Sequence, residues 1–321
     1  MVITLKDIIE LAKGLPEESF EETYEKLWEI KERTEQEKKS VPAVCPFCGS
    51  VNILRNGKRH KKQAYLCKGC AKTFVETATF AIAYSHSGET VWKQVIRDTA
   101  DGVSMDKTAE SPDLTHSTVF NMRHKILYSV EQALLGMPLQ LNGVCEADET
   151  YVLESMKGRK LSADYPRSPR RHGAKASKAG ISDEYICVCA SVGGDKQCAA
   201  SAINRATPGK AEIERVFGDK VTPDTVFICD GNRNYDVLEE KCAVAHASRV
   251  NKVNGFHSFM KERLLAARGV ATIYLNRYNA LFTRVFGKQD SAAGKIFEIM
   301  TSRNGSFATV ATVKSENLLT I

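Results

Sequence analysis

The cysteines at 45, 48, 67 and 70 constrain this chain more than any other feature. They form Cys45-Pro-Phe-Cys48 and Cys67-Lys-Gly-Cys70, two Cys-x-x-Cys pairs with eighteen residues between them. Each pair fits a tight knuckle whose thiolates face one tetrahedral ion, and the spacing falls in the range of structural zinc sites. Two unrelated pairs or two disulfides are the alternatives. Four thiolates leave no open coordination position, so zinc held by Cys45, Cys48, Cys67 and Cys70 would maintain a fold rather than catalyse. Gly49 and Gly69 fall where knuckles need relaxed backbone angles. The spacing predicts a zinc ribbon over about residues 41–80, with short strands at 51–55 and 63–66. The run Lys58-Arg59-His60-Lys61-Lys62 would be the turn between those strands. Such a basic tip suits contact with a DNA backbone, and a solvated hairpin tip is the plainer reading.

With 321 residues, 43% of them apolar and 26% charged, the chain is long enough for two or three domains and a sizeable core. It contains no run of eighteen apolar residues, and its first residues lack the zones of a secretory signal, so the expected location is the cytoplasm, with no membrane partner. The six other cysteines, at 145, 187, 189, 198, 229 and 242, sit mostly in apolar runs and read as core. The net charge of +6 matters less than its distribution. Residues 157–180 hold eight Lys or Arg, among them Arg170 and Arg171, against the single acid Asp164. This Gly-, Ser- and Pro-laced stretch reads either as a phosphate-binding loop or as a solvated one.

Apolar spacing in residues 1–40, broken at Pro16, predicts an acidic helical hairpin suited to packing or self-association. Residues 85–135 read as three helices, at 91–100, 106–110 and 117–130, the last opened by Thr115 and its neighbours as an N-cap signal. A basic final helix bearing Asn121, Arg123, His124 and Lys125 fits a helix-turn-helix domain whose last helix enters the major groove. From 143 onward short apolar strands take over, at 144–153, 184–192, 198–204, 225–229 and 244–250, interleaved late with helices near 209–218, 232–241, 254–267 and 271–286. Three successive strands followed by alternating helix and strand predict an α/β domain, a mixed sheet covered by helices. Residues 289–321 show weaker periodicity and read as a C-terminal extension.

Within the strand at 144–153, side-chain alternation puts Asp148 on one face with Glu146 and Thr150, and Glu149 on the other. Asp230 ends the apolar run Phe227-Ile228-Cys229, just before Gly231. Ligands gather outside the carboxyl ends of strands in such sheets. If the two strands are parallel neighbours, Asp148 and Asp230 converge, and paired carboxylates suit a hard cation such as Mg²⁺. Otherwise Asp230-Gly231 is only a turn and Asp148 only a salt-bridge partner.

Asp148-Glu-Thr-Tyr-Val, Asp230-Gly-Asn-Arg-Asn-Tyr, Val253-Asn254-Gly-Phe-His257-Ser258-Phe-Met-Lys261 and Arg268-Gly-Val-Ala-Thr-Ile-Tyr274-Leu275 together resemble the zinc-ribbon insertion-sequence transposases of the ISXO-like group. Thr118-Val-Phe-Asn-Met-Arg123-His124-Lys125-Ile-Leu resembles that group's helix-turn-helix segment, and the likeness runs from about 45 to 286. It implies an RNase H-like mixed sheet with flanking helices over 143–288, preceded by the zinc ribbon and the helix-turn-helix domain. It further implies catalysis by Asp148, Asp230 and Asn254 as ligands of Mg²⁺ or Mn²⁺. Related transposases carry Glu or Asn at the third position, and Asn254 brings no charge to a second ion.

On a helix starting near 254, His257 and Lys261 share a face with Asn254. Lys261 would contact a substrate phosphate and His257 would position an end or a water, with a structural histidine as the alternative. The implied activity is that of a DNA transposase in the cytoplasm, associated with the nucleoid, binding terminal inverted repeats and target DNA as a homodimer or larger assembly. The competing readings are a zinc-ribbon regulator or decayed transposase without catalysis, and a metal nuclease without joining activity.

Overall fold

The structure, a computed structural model, describes residues 44–59, 62–83, 85–111, 113–136, 139–158, 165, 175–194, 197–302, 308–315 and 318–319. The expected hairpin at 1–40 lies outside them, as do His60 and Lys61 of the basic turn and Arg170 and Arg171 of the basic segment. The chain divides into two compact units, Met1–Glu76 and Thr77–Ile321.

In the first unit β1 (Ile53–Arg59), β2 (Lys62–Cys67) and β3 (Thr73–Val75) form an antiparallel sheet in the order β1-β2-β3. Its apolar interior is small. Tyr65 and Phe74 are buried and stack with ring centroids 5.7 Å apart. The first knuckle turns at Gly49 with φ +70°, where its N–H donates to Cys45 O at 2.9 Å. Gly69 meets a different constraint: a Cβ there would lie 2.9 Å from the Ser50 side chain. The left-handed residue of the second knuckle is Ala71, at φ 56°.

The second unit is built on a five-stranded sheet, β6-β5-β4-β7-β8. The strands are β4 (Leu141–Leu153), β5 (Tyr185–Val192), β6 (Cys198–Arg205), β7 (Val221–Asp230) and β8 (Ala243–Ala247). β4, β5 and β6 run antiparallel as a meander, and β7 and β8 then add parallel to β4. This is the mixed sheet that the apolar runs predicted. The helices are α1 (Glu89–Asp101), α2 (Met105–Glu110), α3 (His116–Leu135), α4 (Lys210–Phe217), α5 (Asn251–Ala266), α6 (Leu275–Val285), α7 (Gln289–Thr301) and α8 (Val310–Ser315). No described helix is long and apolar enough to cross a membrane.

Alternation along the strands gives the sheet two apolar faces. On one, Cys145, Ala147, Cys189, Phe227 and Cys229 pack with Ile213 and Phe217 of α4 and with Tyr235 and Leu238. On the other, Ile186, Val188 and Ala190 pack with Val253, Phe256 and Met260 of α5 and Leu275 and Phe282 of α6. Cys145, Cys187, Cys189, Cys198, Cys229 and Cys242 are all buried, as small hydrophobes are.

The helices of residues 85–135 do not close a core of their own. Trp92, Val95 and Ile96 of α1 and Met122, Ile126 and Val130 of α3 bury against Leu281 and Val285 of α6 and Ile296 and Met300 of α7. The expected separate helix-turn-helix domain is therefore part of the larger unit. Residues 289–301 are one of its walls rather than an appendage, and Val313 of α8 packs with Tyr128. Fully burying each large apolar side chain contributes about 1.5–3 kcal/mol, so shared clusters of this size fix α1, α3, α6 and α7 as one body.

Candidate metal and DNA sites

The four ribbon sulfurs converge. The Cys45 and Cys70 Sγ atoms are 3.7 Å apart, those of Cys48 and Cys67 are 3.6 Å apart, and all four lie within 4.8 Å of one another. Sulfurs bound tetrahedrally at about 2.3 Å from zinc stand about 3.8 Å apart, so the donor set fits one zinc ion. The spacing is far longer than a disulfide bond. Around the sulfurs the backbone is already turned inward, with Phe47 N–H donating to Cys45 Sγ at 3.4 Å.

The carboxylate site grows out of strand register. β4 and β7 pair in parallel through Ala147 and Cys229, so Asp148 and Asp230, each the next residue on, stand side by side on the same face. Asp148 is half-buried and Asp230 exposed at the end of β7. Burial raises the Asp148 pKa; the Glu149 N–H and the Lys261 charge oppose the rise, while the Asp230 charge adds to it. Two carboxylates that repel each other at the rim of a sheet offer the oxygen donors that a hard cation takes.

Helix α5 lies across this face. Asn254 is exposed in its first turn, and one turn later the buried His257 brings Nδ1 to 3.8 Å from Asp148 Oδ2. That separation is too long for a hydrogen bond. Burial, reinforced by Lys261, lowers the His257 pKa to about 4, so the ring is neutral at pH 7 and the contact is not an ion pair. His257 Nε2 is buried without a hydrogen-bond partner among the described residues. Lys261 is exposed on the next turn, with its charge close enough to Asp148 to act on it.

Two supporting residues escaped the sequence reading. Val250, at the N-cap of α5, supplies no side-chain cap. Glu146 of β4 does so instead, its Oε2 accepting from the N–H groups of Lys252 at 2.5 Å and Val253 at 3.4 Å. A carboxylate there also answers the positive end of the helix dipole. On the opposite face of β4, Glu149 Oε1 accepts from Asn232 Nδ2 at 2.7 Å. The only signal for either in the sequence is an acid inside an apolar strand.

One further constellation sits under β7. Cys229 Sγ is 3.4 Å from His246 Nδ1, and His246 Nε2 is 2.7 Å from Asp236 Oδ1. The order is that of an activated thiol, but the sulfur is fully buried. Burial, then the charges of Asp236, Glu149 and Asp230, push its pKa up to about 12, the reverse of a nucleophile's requirement.

Helix α3, which the sequence suggested would read DNA, is placed differently from that expectation. α3 begins at Thr115, whose Oγ1 accepts from Thr118 N–H at 3.2 Å, as the capping signal predicted. Arg123 and His124, however, face inward and are each 4% exposed. Arg123 Nη2 donates to Val103 O at 2.8 Å and to Thr108 Oγ1 at 3.4 Å, bracing α2 and the turn before it. The His124 ring lies between Phe120 and Tyr274, at 4.2 and 4.4 Å, and burial with the charges of Arg277, Lys314 and Arg123 lowers its pKa to about 3. Neither side chain faces solvent. α3 is covered on more than one side, so the positions next to its main apolar stripe are interior too. Lys125 is half-buried, and His116 and Ser117 are the exposed residues of the first turn.

No protein-family model matches the chain. It is 25% identical over 253 residues, 74% of this chain and 83% of the other, to a Halobacterium salinarum protein named as an uncharacterized protein in transposable element ISH50. Among solved structures it is similar to a pre-cleavage Mos1 transpososome, at 13% identity over 65% of this chain and 78% of that one, with a TM-score of 0.27. It is also similar to the Mos1 strand transfer complex, at 13% identity over 70% of this chain and 82% of that one, with a TM-score of 0.26. The chain is thus similar to a protein of a transposable element.

Proposed function

We propose that this protein is the DNA transposase of an insertion sequence, with an RNase H-like catalytic core and a zinc ribbon that binds the element's terminal inverted repeats. The observation that carries the proposal is the parallel pairing of β4 with β7, which sets Asp148 beside Asp230 under helix α5. The similarity to a protein of transposable element ISH50 supports the same reading.

Asp148 and Asp230 would offer carboxylate oxygens and Asn254 an amide oxygen to Mg²⁺ or Mn²⁺. Such an ion supplies Lewis-acid polarisation of phosphate oxygens and lowers the pKa of an attacking water or 3′-hydroxyl. Lys261 pairs with a phosphate of the bound strand, its exposed ammonium on the same helix as Asn254. His257, buried and with its ring 3.8 Å from Asp148, walls the back of the site and limits where that carboxylate can move. Lys58, Arg59 and Lys62 of the ribbon are exposed and bind backbone phosphates, as does Lys125. The basic residues Arg170 and Arg171 bind DNA phosphates, and holding two ends together requires a dimer or larger assembly.

The test is incubation of the purified chain with labelled DNA spanning the flanking repeats, in Mg²⁺ or EDTA. Nicking and joining that need the metal and vanish in Asp148→Ala and Asp230→Ala, with DNA binding retained, are the expected results. Specific binding without cleavage would favour a zinc-ribbon regulator or a decayed transposase, the reading that the uncharged Asn254 supports. Cleavage without joining would favour a nuclease.

A further inference from the structure

We propose that Glu149 is a positioning residue for the metal site: from the far face of β4 it holds the Asp230–Asn232 turn so that Asp230 stays beside Asp148. This inference rests on the metal-site reading above.

The need for such a device follows from the ladders. β7 is paired with β8 as far as Asp230, opposite Ala247, but its pairing with β4 ends one residue earlier, at Cys229. On the side that matters for the two carboxylates, no strand pairing holds Asp230. The chain then turns at once, with Gly231 at φ +45° in the left-handed region. A carboxylate at the end of a strand and before such a turn needs another tether if its oxygens are to keep one position.

Asn232 provides the tether. Its N–H donates to Asp230 O, closing the turn, and its Oδ1 accepts from Asn234 N–H at 3.0 Å, capping the 3-10 turn Arg233–Leu238. That uses the backbone and the carbonyl of the amide. The remaining Nδ2 donates to Glu149 Oε1 at 2.7 Å and fastens the turn to β4. Glu149 is the immediate neighbour of Asp148, so one strand presents one site carboxylate forward and grips the loop of the other behind. Asn234 Nδ2 donates to Pro208 O at 3.0 Å, securing the far side of the turn.

The cost of the arrangement points the same way. Glu149 projects onto the face formed by Cys145, Ala147, Cys189 and Cys229, beside the buried Tyr235. Placing a carboxylate there is unfavourable unless it is hydrogen-bonded, and an apolar residue would pack at less expense. The bond to Asn232 at 2.7 Å, beside the Tyr235 ring, is part of what offsets that cost.

The test uses the full, zinc-loaded chain with Glu149→Ala, Glu149→Gln, Asn232→Ala and the double alanine variant. Mn²⁺ affinity is titrated by electron paramagnetic resonance, with Asp148→Ala as the blank, and hydrogen exchange is followed over residues 230–236. Loss of a residue that orients a metal ligand weakens affinity by about 10–100-fold. That loss is expected in both single alanine variants, with no further loss in the double, and with faster exchange confined to 230–236. Glu149→Gln keeps an acceptor oxygen and should lose less than either alanine variant. Unchanged exchange, or faster exchange with wild-type Mn²⁺ affinity, or additive losses in the double variant, would overturn the proposal. Asn232→Ala keeps the test open if Glu149→Ala does not fold. A wild-type chain that binds no Asp148-dependent Mn²⁺ would sink the metal-site reading itself, and this inference with it.

Discussion

The ribbon and the sheet unit solve the problem of cohesion in opposite ways. Among its described residues the ribbon buries little beyond Ala64, Tyr65, Phe74 and two of its cysteines; Ile53, Leu66 and Val75 are half-buried, and Val44, Phe47, Val51 and Leu54 are 39–78% exposed. Its four sulfurs around one point must supply what its core does not. The sheet unit buries several interlocking clusters and needs no ion to fold. One region is therefore conditional on its chemical surroundings and the other on its packing.

Chelation separates the two most sharply. If the four sulfurs hold zinc, chelating it, or changing Cys48→Ser, should unfold the ribbon, since a structural zinc ion contributes an apparent binding energy on the order of 10 kcal/mol or more at neutral pH. The melting transition of the sheet unit should not move. A single transition that shifts as a whole, followed by calorimetry with and without chelator, would break the comparison. The converse is Trp92→Ala, which empties a site 2% exposed in the helical cluster. It should cost the sheet unit about 3–5 kcal/mol in denaturant unfolding and leave zinc content unchanged.

Acid sharpens the contrast further. The folded pKa of His124 is depressed to about 3 from its ordinary 6.5, so the unfolded chain binds the proton more tightly. The stability from keeping this ring neutral is fully present above pH 6.5 and is lost as pH falls toward 3. Between pH 6.5 and 4.5, wild type should lose about 2 kcal/mol more than His124→Phe, measured by urea unfolding of the sheet unit. The smallest effect concerns two cations of α3, Arg123 and Lys125, on either side of His124. Lys125→Gln should lower the salt slope of DNA binding by about 1 with little change in stability. Arg123→Met should do the reverse, costing about 1–3 kcal/mol by stranding Val103 O, with the salt slope intact.

The features that were legible in the sequence are those whose physics is local. Cysteine spacing encodes the knuckles, and β5, with all but one of its residues buried, must read as an unbroken apolar run. Asp148 and Asp230 stood out because a charge in an apolar strand demands a reason. The positions of Arg123 and His124 were illegible because polarity signals exposure only when a helix has a free face, and α3 is hemmed in by α1, α6, α7 and α8. The stripe Ala292, Ile296, Met300 of α7, with Ala293 and Phe297 beside it, has helical spacing, yet it is short and Gly294 on the same helix lowers the helix signal. Glu146 capping a helix 106 residues away, and Glu149 gripping Asn232, are tertiary facts: the sequence shows an acid inside an apolar strand but not its partner.

Helix α6 has a consequence for how such a gene can change. Its Leu275 and Phe282 complete the layer over the sheet, while its Leu281 and Val285 complete the layer around Trp92. A genetic crossover between codons 135 and 141 would look like a clean exchange of a leading segment for another. In fact the incoming segment would have to match the contours of a helix encoded some 140 codons downstream. The ribbon, whose sulfurs converge before residue 77, belongs to a unit that is compact by itself.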